Sequence, residues 1–170
     1  KGEIYKARNE AQSFYLNHPK NPESIALLAA TLKSFGDYIE AEKHARNLVK
    51  DYSNRAAHQY LLAEILRDQN KADEAAKYSQ ALIDRFPDQP RNQLLHADIL
   101  LRQGKAAQAL SYAEKLWSNH QNPISAQLLG RIHLVMGNND KAIELLEKAS
   151  ETGTNSALVA LLTHAYQQQG

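Results

Sequence analysis

Gly104-Lys105-Ala106-Ala107-Gln108-Ala109 is the stretch that decides the fold. A glycine closes one helical pattern, a short turn follows, and a small alanine stands five residues after the glycine. The phrase recurs as Gly36-Asp37-Tyr38-Ile39-Glu40-Ala41, as Asn70-Lys71-Ala72-Asp73-Glu74-Ala75 and as Gly137-Asn138-Asn139-Asp140-Lys141-Ala142. It opens the chain as Gly2-Glu3-Ile4-Tyr5-Lys6-Ala7, and Gly170 stands at the next expected position. The turn positions 2, 36, 70, 104, 137 and 170 are thus spaced by 34, 34, 34, 33 and 33 residues. A fixed period of that size marks a solenoid, in which small helical units stack and each packs only on its neighbours.

Working outward from the turns, apolar residues recur at helical spacing on both sides. Residues 3–17 read as a helix with Ala7, Ala11 and Phe14 on one face. Pro19 and Pro22 bracket its end, because proline cannot continue a helix interior and suits the first turn of the next one. The following pairs are 22–35 with 38–51, 56–69 with 72–86, 90–103 with 106–119, and 123–136 with 139–151. Their expected inward stripes are Ile25, Leu28, Ala29, Leu32 with Ala41, Ala45, Leu48; then Leu62, Ala63, Leu66 with Ala75, Ser79, Leu82. The third pair has His96, Ala97, Leu100 with Ala109, Ala113, Leu116, and the fourth Leu129, Gly130, His133 with Ala142, Leu146, Ala149. A last helix, 156–169, presents Val159, Leu162 and Tyr166. Gly36 and Asn70 suit the left-handed conformation that ends a helix.

Composition narrows the function classes. Net charge is +1, from 20 basic and 19 acidic residues, which argues against a general nucleic-acid binder or a polybasic membrane-surface protein. Cysteine is absent, which excludes disulfide and thiolate chemistry. No apolar run approaches membrane-spanning length, and no secretory signal stands at Lys1. The chain begins in mid-repeat and reads as a piece of a longer array.

The repeated residues resemble the tetratricopeptide repeat family. Counting units from Pro22, the small residue at position 8 is Ala29, Ala63, Ala97 and Gly130. The alanine at position 20 is Ala41, Ala75, Ala109 and Ala142. The large residue at position 11 is Leu32, Leu66, Leu100 and His133, with Tyr166 in the last helix. Two positions depart from the family pattern. Position 32 is Pro19, Ser53, Pro87 and Gln121, and position 4 is Ile25, Gln59, Gln93 and Ala126. The resemblance implies an all-α, right-handed α-solenoid of about ten helices. It would hold a half-repeat at 1–21, repeats at 22–55, 56–89, 90–122 and 123–155, and a half-repeat at 156–170.

In that family the first helices line a concave groove. Carried over, the groove would take Glu23, Ala26, Ala30 and Lys33 from the first unit, and Tyr60, Glu64, Arg67 and Asp68 from the second. The third would add Arg91, Leu94, Asp98, Leu101 and Arg102; the fourth, Ile124, Gln127, Arg131, Leu134 and Val135; the last helix, His164 and Gln167. Tyr60, Glu64, Arg67, Arg91, Leu94, Asp98, Arg102, Gln127 and Arg131 are the candidate binding residues. Arginines take carboxylates bidentately, and the interleaved apolar residues suit an extended or helical peptide. The competing reading makes them surface residues joined by local ion pairs, such as Glu64 with Arg67 and Asp98 with Arg102. The Lys and Asn clamp of chaperone-tail-binding members is matched by no unit.

Seven histidines (His18, His44, His58, His96, His120, His133, His164) invite a metal reading. None pairs with another at i,i+3 or i,i+4, so no zinc ligand set forms. His96 and His133 fall at buried positions. Nucleophile-elbow, phosphate-loop and dinucleotide motifs are absent. Asp37 and Asp140 read as turn or capping residues. Tyr38, Tyr52, Tyr78, Phe86, Tyr112 and Trp117 read as packing between neighbouring units, not as a stacking platform for bases.

The expectation is therefore a scaffold for a protein or peptide partner, without catalysis, cofactor or metal. The alternative is a structural spacer resembling the repeat proteins of bacterial envelope or exopolysaccharide-export systems. A third class, a polymer-contacting surface, uses the same groove. Leu158, Leu161, Leu162 and Tyr166 should leave an apolar end that drives end-to-end self-association.

Positions 8 and 20 lie where paired helices cross, so enlarging one overpacks the contact at a cost of about 1–3 kcal/mol. Ala75→Leu should lower the melting temperature more than Lys77→Leu. Coincident melts would show that the repeat register is wrong.

Overall fold

The structure, a computed structural model, describes residues 2–169 and contains helices and turns but no strand among them. The helices are α1 (Gly2–Asn17), α2 (Pro22–Ser34), α3 (Tyr38–Asp51), α4 (Ala56–Asp68) and α5 (Ala72–Arg85). They continue as α6 (Pro90–Arg102), α7 (Ala106–Asn119), α8 (Pro123–Val135), α9 (Asn139–Ser150) and α10 (Ser156–Gln169). Each lies within one residue of its expected boundaries. The fold is an all-α solenoid of antiparallel helix pairs. It divides into two compact units, Lys1–Arg85 and Phe86–Gly170.

In the first unit α2 pairs with α3 and α4 with α5, while α1 packs on α2 and α3 on α4. In the second, α6 pairs with α7 and α8 with α9, and α10 closes against α9 and α8. The turns inside the four pairs share one geometry. Gly36, Asn70, Gly104 and Gly137 have φ of 80°, 62°, 74° and 76°. The amide after each reaches back five residues: Asp37 to Leu32, Lys71 to Leu66, Lys105 to Leu100 and Asn138 to His133, at 2.9–3.0 Å. The turn residue's own amide bonds three residues back, as in Gly36 to the Lys33 carbonyl. These two bonds together form a Schellman motif, which satisfies the last carbonyls of the first helix. Gly2 departs from the expected turn and stands inside α1; Gly170 lies outside the described residues.

Where the paired helices cross, the small residues are fully buried. Ala29, Ala63 and Ala97 on first helices, and Ala41, Ala75, Ala109 and Ala142 on second helices, are all 0% exposed. The fourth pair shows why they are small. A Cβ added to Gly130 would stand 2.8 Å from Leu146 Cγ and 3.3 Å from the Ala142 carbonyl oxygen. Leu146 is itself fully buried.

The chain between pairs is held by a device that the repeat pattern alone did not reveal. A buried or half-buried polar side chain at position 3 or 4 of each first helix donates to a carbonyl of the preceding loop. Ser24 Oγ reaches His18 O, Gln59 Nε2 reaches Ser53 O, Gln93 Nε2 reaches Pro87 O and Ser125 Oγ reaches His120 O. Asn21 and Asn122 cap α2 and α8 with their side chains, just ahead of Pro22 and Pro123. Of the six aromatics expected to pack between repeats, Phe86 is exposed. Tyr112 and Trp117 are half-buried against the second unit's core, and His96 meets Tyr112 edge-on at 4.9 Å.

Some expected faces differ. Ala7 and Phe14 of α1 are exposed, and of its expected stripe Ala11 is buried. On α10 the buried residues are Leu158 and Ala165, not Val159 and Tyr166. Leu158 is therefore no part of an exposed end. Asp37 caps α3 by position, with no side-chain hydrogen bond to it, and pairs with Arg8 instead.

One polar strut ties three elements of the first unit. Glu42 on α3 accepts from Arg46 at 2.7 Å, from Gln69 at 2.6 Å and from Lys71 at 2.7 Å. Arg46 also pairs with Glu74 on α5. Burial by itself pushes the Glu42 carboxyl up. The hydrogen bonds from Lys71, Gln69 and Arg46 outweigh it and hold the carboxyl at about 2.

Two outcomes follow from these contacts. Alanine ordinarily gains about 1 kcal/mol over glycine inside a helix. Against Leu146 and the Ala142 carbonyl the overpacking costs about 1–3 kcal/mol, so Gly130→Ala should lower the melting temperature. A rise would show that α8 and α9 can part at this point. The Glu42 carboxyl is depressed in the folded state, so its stabilisation is present above the ordinary value of 4.5 and is lost as pH falls towards 2. Glu42→Gln should melt lower at pH 7 and show a shallower acid loss through that window. Identical pH slopes for the two proteins would sink the assignment.

Candidate functional site

The first helices of each unit carry the candidate residues, and the two units are described separately. In the first unit Tyr60, Glu64 and Arg67 follow one another on α4 at helical spacing and are half-buried. The Glu64 carboxylate takes Lys33 Nζ of α2 at 2.8 Å, across one repeat, and both side chains are only about a fifth exposed. Arg67 pairs with its neighbour Asp68 at 2.8 Å. Glu23, at the start of α2, pairs with Arg55 at 2.7 Å.

In the second unit the face is built on α6 and α8. Arg91 is exposed at the start of α6, and Leu94 is half-buried one turn on. Asp98 is buried at 8% exposure, and Arg131 Nη1 of α8 donates to its Oδ1 at 2.8 Å. Arg102, one turn further along α6, donates from Nε to Oδ2 at 3.4 Å. The expected Asp98–Arg102 pair is thus present, and Arg131 joins it from the neighbouring repeat. A carboxylate this buried needs such partners. It also fixes two guanidinium groups that keep further N–H donors, since each arginine has five. Gln127 is half-buried on α8, and Ile124 and Val135 are each 62% exposed at its two ends.

The two pairs share a plan. Lys33–Glu64 and Asp98–Arg131 join residues 31 and 33 apart, one repeat, on successive first helices. The Lys33–Glu64 pair was not legible in the sequence, because spacing along one helix says nothing about the neighbouring helix.

Three of the seven histidines are buried. His96 and His133 are buried as expected, and so is His58, which the pattern did not single out. Burial pushes the His58 and His133 imidazoles below the usual range. Among the described residues, no group of three His, Cys, Asp or Glu side chains is placed to hold a metal ion. No described helix is long and apolar enough to cross a membrane.

Comparisons with known proteins agree with this geometry. The family model for the tetratricopeptide repeat matches residues 27–90, and the model for anaphase-promoting complex, cyclosome, subunit 3 matches residues 68–149. A search of curated proteins gives no match. Among solved structures, a tetratricopeptide repeat protein from Parabacteroides merdae superposes with a TM-score of 0.82 at 21% identity, covering 97% of this chain and 65% of its own. A thermophilic protein of the same class from Thermus thermophilus gives 0.80 at 17% identity, covering 99% of this chain and 91% of its own. The Cut9–Hcn1 hetero-tetramer of the anaphase-promoting complex gives 0.84 at 16% identity, with 99% of this chain covered but 34% of that one. The chain therefore spans just under two thirds of the first of these proteins. Arrays of this kind serve in general as scaffolds for protein partners and are typically non-catalytic. Four matching turns, the small buried residues at every helix crossing and the two family models together mean that the chain belongs to the tetratricopeptide repeat family.

Proposed function

We propose that the first-helix face of each unit binds a peptide segment of a protein partner. The observation that carries this reading is the Arg102–Asp98–Arg131 cluster. The buried carboxylate holds both guanidinium groups in place before any ligand arrives, and a preorganised site loses less freedom on binding. Asp98 acts as the positioning group and the two arginines as the contacts. Their remaining donors suit a carboxylate of the peptide. Leu94 beside them, and Ile124 at the near end of α8, suit an apolar side chain a few residues away. Gln127 and Arg91 supply polar contacts along the same face. In the first unit Tyr60, Glu64 and Arg67 play the corresponding part, with Lys33 fixing Glu64.

A second reading rests on the same pairs. Lys33–Glu64 and Asp98–Arg131 tie neighbouring repeats together, which suits a structural spacer in an envelope or polymer-export assembly. On that reading the face needs no ligand.

A peptide array probed with the 170-residue chain separates the two. Peptides that pair an acidic residue with an apolar one a few positions away should be retained by wild type. A Tyr60→Ala, Arg102→Ala, Arg131→Ala variant should lose them by about tenfold or more, the scale of a hot-spot arginine. Retention should also fall with added salt. Equal retention by both proteins, or no enriched peptide, would overturn the binding reading in favour of the spacer.

A further inference from the structure

Charge is unevenly placed in the second unit. Phe86–Gly170 contains seven basic and seven acidic side chains, so the unit as a whole is neutral. Its first helices, α6 and α8, nevertheless hold Arg91, Arg102 and Arg131 against a single acid, Asp98. The first unit has no such excess: α2 and α4 hold Lys33 and Arg67 against Glu23, Glu64 and Asp68. A positive face on an otherwise neutral body attracts an anion.

Asp98 sets the geometry of that face. Its Oδ1 takes Arg131 and its Oδ2 takes Arg102, so one carboxylate holds both guanidinium groups beside it. Both arginines are about a third exposed. Among the described residues, Asp98 is the partner of each, through one of the five N–H groups that an arginine carries. The other donors of both forks remain for a ligand. A carboxylate has two oxygens and one charge, and a single guanidinium satisfies it bidentately. A phosphoryl monoester has three terminal oxygens and a charge of about −1.5 to −2 at pH 7. It can accept from both forks at once and balance the excess charge of the face.

The rest of the face suits a peptide as the carrier of that group. Neither α6 nor α8 contains Phe, Tyr or Trp, so no aromatic ring on them can stack with a base. Apolar residues flank Arg131 along α8 instead. Ile124 stands seven residues before it and Val135 four after it, each 62% exposed. Leu94 lies one turn before Asp98 on α6 and is half-buried.

Building on the peptide-binding reading above, on which this step rests, we propose that the Arg102–Asp98–Arg131 cluster is a phosphoryl site. The partner segment docks through a phosphorylated side chain with apolar residues on both sides of it. Phosphorylation of the partner thus turns binding on.

The test uses fluorescein-labelled peptide pools titrated onto the 170-residue chain and read by anisotropy. The pools are identical except for a central phosphoserine, glutamate or serine, with apolar residues varied on both sides. The phosphoserine pool should bind about tenfold or more tighter than the glutamate pool, and the serine pool weakest. That preference should shrink from about pH 7.5 to about pH 5, because the phosphoryl group takes up its second proton at about pH 6. Glutamate, with a pKa of about 4.3, stays mostly charged over that range. Arg102→Lys combined with Arg131→Lys keeps both charges beside Asp98 but removes the forks. It should erase the preference for phosphoserine over glutamate, and its melt checks that it folds. The wild-type comparison stands whether or not this variant folds. Equal affinity of wild type for the phosphoserine and glutamate pools would overturn the phosphoryl site and leave the peptide reading intact. Binding of no pool would overturn both. Inorganic phosphate or a 5′-phosphorylated oligonucleotide bound as tightly as the phosphoserine pool would overturn the peptide as the carrier.

Discussion

Two helices can cross closely only if neither presents a bulky side chain at the crossing, and this constraint governs the chain. The four hairpins meet it with Ala29, Ala63, Ala97 and Gly130 on one side and Ala41, Ala75, Ala109 and Ala142 on the other, all buried. Around these points larger residues interlock: Leu100, Leu129 and Ile132 in one cluster of the second unit, Leu146 and Leu158 in the next. The crossing in turn demands a turn of fixed geometry, supplied by the residues of positive φ at 36, 70, 104 and 137. Asn70 does so without the freedom of glycine, which an asparagine tolerates better than most residues.

Polar interactions then finish what packing begins. Ser24, Gln59, Gln93 and Ser125 tie each hairpin to the loop before it. Glu42 ties α3 to the turn between α4 and α5, and Lys33–Glu64 and Asp98–Arg131 link successive first helices. Exposed ion pairs contribute little to stability. The buried Asp98 differs, because removing its partners would strand a charge away from water. The same pairs that link repeats also orient the side chains most suited to meet a ligand, so structural and binding roles fall on the same atoms.

Much of this was legible in the sequence. The period located the turns inside the four hairpins but not at Gly2, which stands in α1; the helical spacing located every hairpin, and the inward stripes of α2 to α9 are the buried ones. The terminal helices were misread for a common reason. Helix α10 is apolar on more than one side, so Val159, Leu162 and Tyr166 fit a helical stripe as well as Leu158, Leu162 and Ala165 do. Periodicity cannot choose between such faces; the neighbours, α9 and α8, do. Ala7 and Phe14 of α1 fit the stripe too, and their exposure follows from what packs on them. The candidate face was partly legible. Arg102 lies one turn from Asp98 and could be paired by counting, whereas Arg131 is 33 residues from it and could not. The polar residues at positions 3 and 4 carried a usable signal, their recurrence just after each helix start.

By itself the sequence determined the repeat length, the helix boundaries and the small residues at each crossing, because these depend on local backbone geometry and on the size of single side chains. The tertiary structure alone decided which helix faces are covered, which charges meet across neighbouring repeats, and how far Asp98 and Glu42 are withdrawn from water. Those properties depend on atoms brought together from about thirty residues apart, and no local pattern records their distance.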